Sequence, residues 1–362
     1  MSWTQVISNR WPAALVVHST MDPTYPLIPI VNFVSAALVL LTILPRCMQH
    51  SWNAGLLMLA SWVFIISILR AVNAIVWSNS FEDLAPVFCD ISTHLDVGGT
   101  VGVSASSLAI TRRLYCIARL NTVRSPTERE RWKSLIFDLS IGVGLPIIIM
   151  GLYYTVQPAR YFIFEEYGCN PAVISSWLSI LLLTSWTIIF PLISILFYCP
   201  KIILRFWNGS AHFNETFRSH PSFTHNQYIR VLAVGFVDIA ITLPVGIFLI
   251  IVDLKQAPLM AFYPGWSITH IFFGVISLPA EGWKANGGSL AALTFSQWNT
   301  VLLSLTIFAL FGTTEEAISM YQGAFHRMAG LVGIRLHQLR CSGSDQKRRS
   351  PSPTGSDYGS NR

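Results

Sequence analysis

Apolar residues in this chain gather into seven runs, at 25–44, 52–77, 91–118, 135–156, 172–199, 228–252 and 293–311. Each comes near the roughly 20 residues an α-helix needs to cross the hydrocarbon core of a bilayer. The third run is the least apolar and opens with Asp96, Gly98, Gly99 and Gly102. Small and polar residues of that kind suit a helix enclosed by other helices, where backbones approach closely. The pattern predicts an all-α membrane protein, a bundle of seven transmembrane helices spanning residues 25–321.

Composition agrees with lipid exposure. Of 362 residues 52% are hydrophobic and 12% charged, against about 25% charged in soluble domains. Residues 1–24 carry one short apolar stretch, 11–17, interrupted by Pro12 and followed by no small-residue cleavage site. The first span is therefore expected to act as its own insertion signal.

Charge sets the expected orientation. With the N-terminus outside, nineteen Lys and Arg fall on the cytoplasmic side: Arg46, seven between Arg112 and Lys133, then Lys201, Arg205, Arg218 and Arg230, and seven from Arg327 onward. Four face outward (Arg10, Arg160, Lys255 and Lys284), and Arg70 lies within a span. The positive-inside rule then puts the C-terminus in the cytoplasm. In this topology only Cys89 and Cys169 face outward, where disulfides persist, so they are expected to bridge the second outer loop to helix three. The sequons at Asn208 and Asn214 fall in the third inner loop and are expected to carry no sugar.

Residues 266–280 form an apolar stretch too short to span, bracketed by Pro264 and Pro279. A re-entrant or interfacial segment, or a lid over the bundle, is expected there. Residues 322–362 are expected to form a cytoplasmic tail. Tyr321, Phe325, Met328, Val332, Leu336 and Leu339 recur at helical spacing for an amphipathic helix on the membrane. Cys341, palmitoylated or free, and a disordered basic end follow it.

Polar groups within spans are costly unless paired and are the first functional candidates. They are Arg70, Asn73, Asp96 and Asp238. An Arg70–Asp96 pair is expected, as a functional or a purely structural contact. Pro146, Pro191 and Pro244 each remove a backbone bond and kink a helix. No zinc spacing, phosphate loop or nucleophilic triad is recognisable, so no enzyme, metal or cofactor is expected. Lys133, Lys201, Lys255, Lys284 and Lys347 all lie outside the spans, which excludes a retinal Schiff base. The basic inner face suits an acidic protein or anionic lipid. The residues alone leave receptor or transporter, with a receptor favoured by the lack of a continuous polar lining.

Several strings resemble the fungal receptors for lipid-modified mating pheromones. They are 86–92 (PVFCDIS), 107–115 (SLAITRRLY), 138–146 (DLSIGVGLP), 164–171 (FEEYGCNP), Phe311-Gly312 with Glu315-Glu316, and the set Trp266, His270, Phe273 and Pro279. Thr111-Arg112-Arg113-Leu114-Tyr115 stands where rhodopsin-like receptors carry Asp-Arg-Tyr. The resemblance implies a plasma-membrane G-protein-coupled receptor that binds a farnesylated peptide and activates a heterotrimeric G protein upstream of a MAP-kinase mating pathway. A non-mating paralogue is the alternative within the family. The implied partners are that peptide, the G protein and membrane lipid, with a homodimer left open and no nucleic acid. The expected ligand contacts are Arg70, Asp96 and His270 for the peptide and Trp77, Trp266, Phe272 and Phe273 for the isoprenoid. Arg112, Arg113, Arg119, Lys201, Arg205 and Arg230 are expected to meet the G protein.

Overall fold

The computed structural model describes residues 25–48, 54–119, 127–208, 225–256, 261–271, 273–285, 287–314 and 317–323. The chain divides into two units, 1–318 and 319–362; of the second, 319–323 are described, as helix. The expectations for residues 1–24, for the amphipathic helix beyond 323 and for Cys341 fall outside the described residues.

Among the described residues the first unit has seven long helical segments. They are α1 (Leu27–Met48), α2 (Ala54–Val76), α3 (Pro86–Arg119), α4 (Glu128–Val156), α5 (Trp177–Asn208), α6 (His225–Gln256) and α7 (Gly287–Ile307, continued by Phe308–Gly312). All but α3 are apolar and long enough to cross a membrane. At 34 residues α3 has ample length, about 50 Å. Its polarity is accommodated by position, since it packs against α2, α4, α5 and α6 in the middle of the bundle. Every residue from Val101 to Thr111 is buried. A Cβ on Gly102 would lie 2.3 Å from Nε1 of Trp62 on α2, so only glycine permits that approach. The small residues that weaken α3 as a lipid-facing span are what let it sit at the centre.

Proline shapes α4. Thr127 and Glu130 form a capping box at its start, and a π-turn, Ser140–Gly144, precedes Pro146. Pro146 has no N–H for the carbonyl four residues earlier, that of Gly142. The Trp62 indole N–H donates to that carbonyl at 2.9 Å. A π-turn at Ser194–Tyr198 likewise follows Pro191 in α5.

The loops at one end build a three-stranded sheet. The α4–α5 connection folds into a hairpin, β1 (Tyr161–Phe164) with β2 (Gly168–Asn170). The α6–α7 connection supplies β3 (Val275–Leu278), which pairs parallel to β1. The apolar stretch before Pro279 is thus a short helical turn, Trp266–Thr269, followed by a sheet strand. Its second half is thereby tied to the α4–α5 connection through the pairing of β3 with β1.

Candidate functional site: the two ends of the bundle

The sheet is fastened to α2 and α3 by covalent and polar contacts. Cys89 at the start of α3 is bonded to Cys169 in β2, with Cα atoms 5.4 Å apart. Asn73 Oδ1 on α2 accepts from the Cys169 N–H at 3.1 Å, and the Trp77 carbonyl accepts from Glu166 N–H at 2.8 Å. Glu166 turns the hairpin with φ 70°, and Gly168 follows at φ 92°. A Cβ on Gly168 would stand 2.7 Å from Asn73, so conformation and space both require glycine. Asp90 on α3 holds the Arg160 guanidinium through Nε and Nη2, with Nε 2.9 Å from Oδ1. The Tyr161 hydroxyl donates to Asp83 at 2.9 Å. Burial, then the Asp83 charge, push that phenol above its ordinary range.

The α7 side is fastened through two adjacent glutamates. Glu165 Oε2 accepts from Ala280 N–H at 2.8 Å and its carbonyl from the Trp283 indole at 3.2 Å. Glu166 pairs with Lys284. The aromatic side chain Trp77 is fully buried beneath this arrangement, stacked near Phe88, its indole donating to the Glu82 carbonyl. Trp77 supports the sheet and presents no free face in this state.

Under the sheet lies a polar cluster of α2, α3 and α7. Arg70, 8% exposed, donates to the Ser296 carbonyl, to Thr300 Oγ1 at 2.6 Å and to Ser296 Oγ at 2.7 Å. The expected ion pair with Asp96 is present at 3.6 Å. Tyr167, at the hairpin tip, lies beside the same cluster, close enough to feel the Arg70 and Asp96 charges. Withdrawal from water raises its phenol pKa, against the pull of the Arg70 charge. No sequence signal marked Tyr167 for this position, because it follows from the hairpin geometry.

The remaining outer candidates form an aromatic rim where α4 ends. His270 stacks on Trp266 with centroids 4.2 Å apart, and the rings of Tyr154 and Phe273 lie 5.0 Å and 5.8 Å away. Trp266 and Phe273 are exposed. Phe272 lies outside the described residues. The rim and the Arg70 cluster are separate features, each bounded by the sheet.

At the opposite end the basic residues are partly engaged. Arg112 Nη1 lies 2.5 Å from Asp138 Oδ1, and Asp138 is 1% exposed. The guanidinium also covers the Phe137 ring at 4.3 Å. Arg113 neighbours Asp138. Lys201 is exposed, 5.5 Å from the Tyr115 ring, and Arg230 is half-buried. The side chains of Arg119 and Arg205 lie outside the described residues. Cys116 and Cys199, near this end, are free thiols.

The sequence profile described as Pheromone A receptor matches residues 27–331, from the first helix past the last. The chain belongs to the pheromone A receptor family. Among its relatives, the Pheromone B alpha 2 receptor of Schizophyllum commune is 32% identical over 315 residues, 87% of this chain and 48% of that protein. Pheromone receptor 1 of Mycosarcoma maydis is 32% identical over 279 residues, 76% and 77% of the two chains. The Pheromone a factor receptor of Saccharomyces cerevisiae is 23% identical over 279 residues, 75% of this chain and 56% of that one. The chain spans about half the length of the Schizophyllum relatives it matches. In this pheromone receptor family member, 86–92 carries the disulfide and the Arg160 partner, and 107–115 joins 138–146 through Arg112 and Asp138.

Proposed function

We propose that this chain is a plasma-membrane receptor for a lipid-modified peptide mating pheromone, signalling through a heterotrimeric G protein. The observation that carries the reading is the family match across the whole helical bundle. In this reading the disulfide-fastened sheet faces outward and the Arg112–Asp138 end meets the cytosol, in accord with the positive-inside rule.

The peptide part of the ligand meets the Arg70–Asp96 cluster after the Tyr167 tip yields. The isoprenoid packs on the aromatic rim of Trp266 and Phe273, with His270 among them, and Phe272 is a further contact for it by its place in the sequence. Each buried methylene of a farnesyl chain contributes about 0.8 kcal/mol, so an exposed apolar rim beside lipid is a favourable landing site. Trp77 acts indirectly, by holding the sheet. At the cytosolic end Arg112, Arg113, Arg119, Lys201, Arg205 and Arg230 contact the G protein once the bundle opens. Pro191 and Pro244, inside α5 and α6, each remove a backbone hydrogen bond and supply hinge points for that opening.

The test is a pheromone-responsive reporter in a fungal cell deprived of its own receptor. Expression of this chain should confer a response to farnesylated pheromone peptide and not to the same peptide without its lipid. A surface-expressed chain that confers no response to pheromones of compatible partners would reject the proposal.

A further inference from the structure

Asp238 lies near the middle of α6 and is 1% exposed. Where α6 crosses α3, a Cβ on Gly235 would touch Thr111 at 3.4 Å and Ile110 at 3.6 Å. The two helices run in opposite directions. One turn further outward on each, Asp238 comes level with Ser107, which bears on its carboxyl. Within α6 the Thr242 hydroxyl donates to Oδ1 at 3.0 Å. Among the described residues, Oδ2 of Asp238 and Oγ of Ser107 are both buried with no partner at hydrogen-bond geometry.

The helices packed around that carboxyl bring it no counter-charge. α6 packs against α3, α5 and α7. No charged residue occurs on α3 from 97 to 111, on α5 from 177 to 200, or on α7 from 287 to 312, and Asp238 is the one charged residue of α6 from 231 to 252. The titratable groups of that stretch of α5 are Tyr198 and Cys199, towards its inner end. The flanking charges are engaged or distant. Arg112 lies five residues past Ser107, roughly 7.5 Å along the axis, and is turned to Asp138, which Arg113 also neighbours. Asp96 pairs with Arg70. On α6, Arg230 lies roughly 12 Å from Asp238 along the axis and Asp253 further still. A carboxylate buried without a counter-ion is so costly that the group takes up a proton instead.

We propose that Asp238 is a proton-binding site, a neutral carboxylic acid in this closed bundle, which loses its proton when α6 leaves α3. In the closed state the O–H on Oδ2 has Ser107 as its neighbour, and Oδ1 accepts from Thr242. When the helices part and water reaches the carboxyl, the O–H bond breaks, its electron pair stays on Oδ2 and the proton passes to water. The sign follows from which form binds the proton. The closed form binds it, so falling pH favours closure and rising pH favours opening. One proton changes the open-to-closed ratio by up to about tenfold per pH unit. The meaning of that opening for signalling rests on the receptor reading, whereas the proton site itself does not.

The experiment uses the full chain in lipid nanodiscs, without ligand or G protein, between pH 6.0 and 8.5. An ordinary aspartate, with a pKa of about 3.9, is ionised across that range. Infrared difference spectra of wild type against Asp238→Asn should instead contain the C=O band of a protonated carboxyl at pH 6.0. Opening is read by the distance between spin labels on Cys116, an exposed thiol of α3, and on Ile229→Cys, exposed near the start of α6. Cys47→Ser, Cys199→Ser and Cys341→Ser keep the labelling specific. The ratio of long to short distances should rise with pH, by up to about tenfold per unit, as the carboxyl band fades. Asp238→Asn should hold that ratio constant. In the wild type alone, band loss and distance change that follow different pH profiles would overturn the coupling, even if the variant failed to fold. An absent band, a pH response kept in Asp238→Asn, or a distance that answers to sodium and not to pH would also overturn the proposal. The last result would mean a carboxylate holding a metal cation. Because no ligand is present, failure of the pheromone reporter leaves this result untouched, and the two ideas fail separately.

Discussion

Arg112 on α3 and Asp138 on α4 form a short ion pair, 2.5 Å from Nη1 to Oδ1, with the carboxylate almost wholly buried. Breaking one partner of a buried pair costs about 3–5 kcal/mol, because the other charge is stranded. Asp138→Ala should therefore lower the melting temperature of the purified chain and raise signalling without ligand. Reversing both charges, Arg112→Asp with Asp138→Arg, should recover part of the stability that either single change loses. A double mutant no better than the singles, in thermal unfolding, would show that the pair does not couple α3 to α4. The pair also bears on the role proposed for Arg112: its guanidinium is held by Asp138, so contact with a G protein would require Asp138 to release it.

The Trp62 indole is the partner of the carbonyl that Pro146 leaves free. Trp62→Phe keeps the ring and removes the N–H, so it should destabilise the bundle by about 1–3 kcal/mol, the range for an unsatisfied buried acceptor. Gly102→Leu, forced into the same indole, should fail to reach the surface. Gly151→Ala meets nothing within 4 Å and serves as the control, with unchanged surface expression. Flow cytometry of epitope-tagged variants reads all three.

The Cys89–Cys169 bridge closes an 80-residue separation, and loss of such a bridge typically costs about 2–5 kcal/mol. Cys89→Ser and Cys169→Ser should lower ligand response to the same extent, and the double change should do no further harm. Asn73→Ala, which strands the Cys169 N–H, should give a milder loss with the bridge still present on non-reducing gels. Unequal single mutants, read by reporter dose–response, would mean that one sulfur has a second role.

Arg70 engages Ser296 and Thr300 through hydrogen bonds, and Asp96 at 3.6 Å across a partly exposed site. The planar fork makes contacts that a lysine ammonium cannot copy. Arg70→Lys should therefore reduce ligand potency more than Asp96→Asn does. The reverse order, measured by saturation binding of labelled farnesylated peptide, would place the ligand's polar contact on Asp96 alone.

Periodicity and composition revealed the helices well and the connections poorly. The spans at 25–44 and 52–77 announce themselves by unbroken apolar length, and the central place of α3 follows from Gly98, Gly99 and Gly102. Helix ends shifted by several residues. Pro86, suited to a first turn, starts α3 before the apolar run at 91, and α7 begins at Gly287 rather than 293. The sheet was not legible. Strands of three and four residues leave too little alternation to detect, and β3 pairs with β1 more than 100 residues away. The Arg70–Asp96 pair could be expected because two opposite charges within spans need each other. Asp138 escaped notice as a partner because it sits inside an apolar run whose N-terminal turns carry charges that suit an interface. The meeting of His270 with Tyr154 depends on where α4 ends in space, which spacing along the chain does not encode.

The most direct measurement is nucleotide exchange on a heterotrimeric G protein reconstituted with the purified chain in lipid vesicles. Synthetic farnesylated, carboxymethylated pheromone peptides from compatible mating partners should accelerate exchange, and their unlipidated counterparts should not. Exchange at the basal rate with every such peptide, from a chain that is folded and disulfide-bonded, would contradict the account.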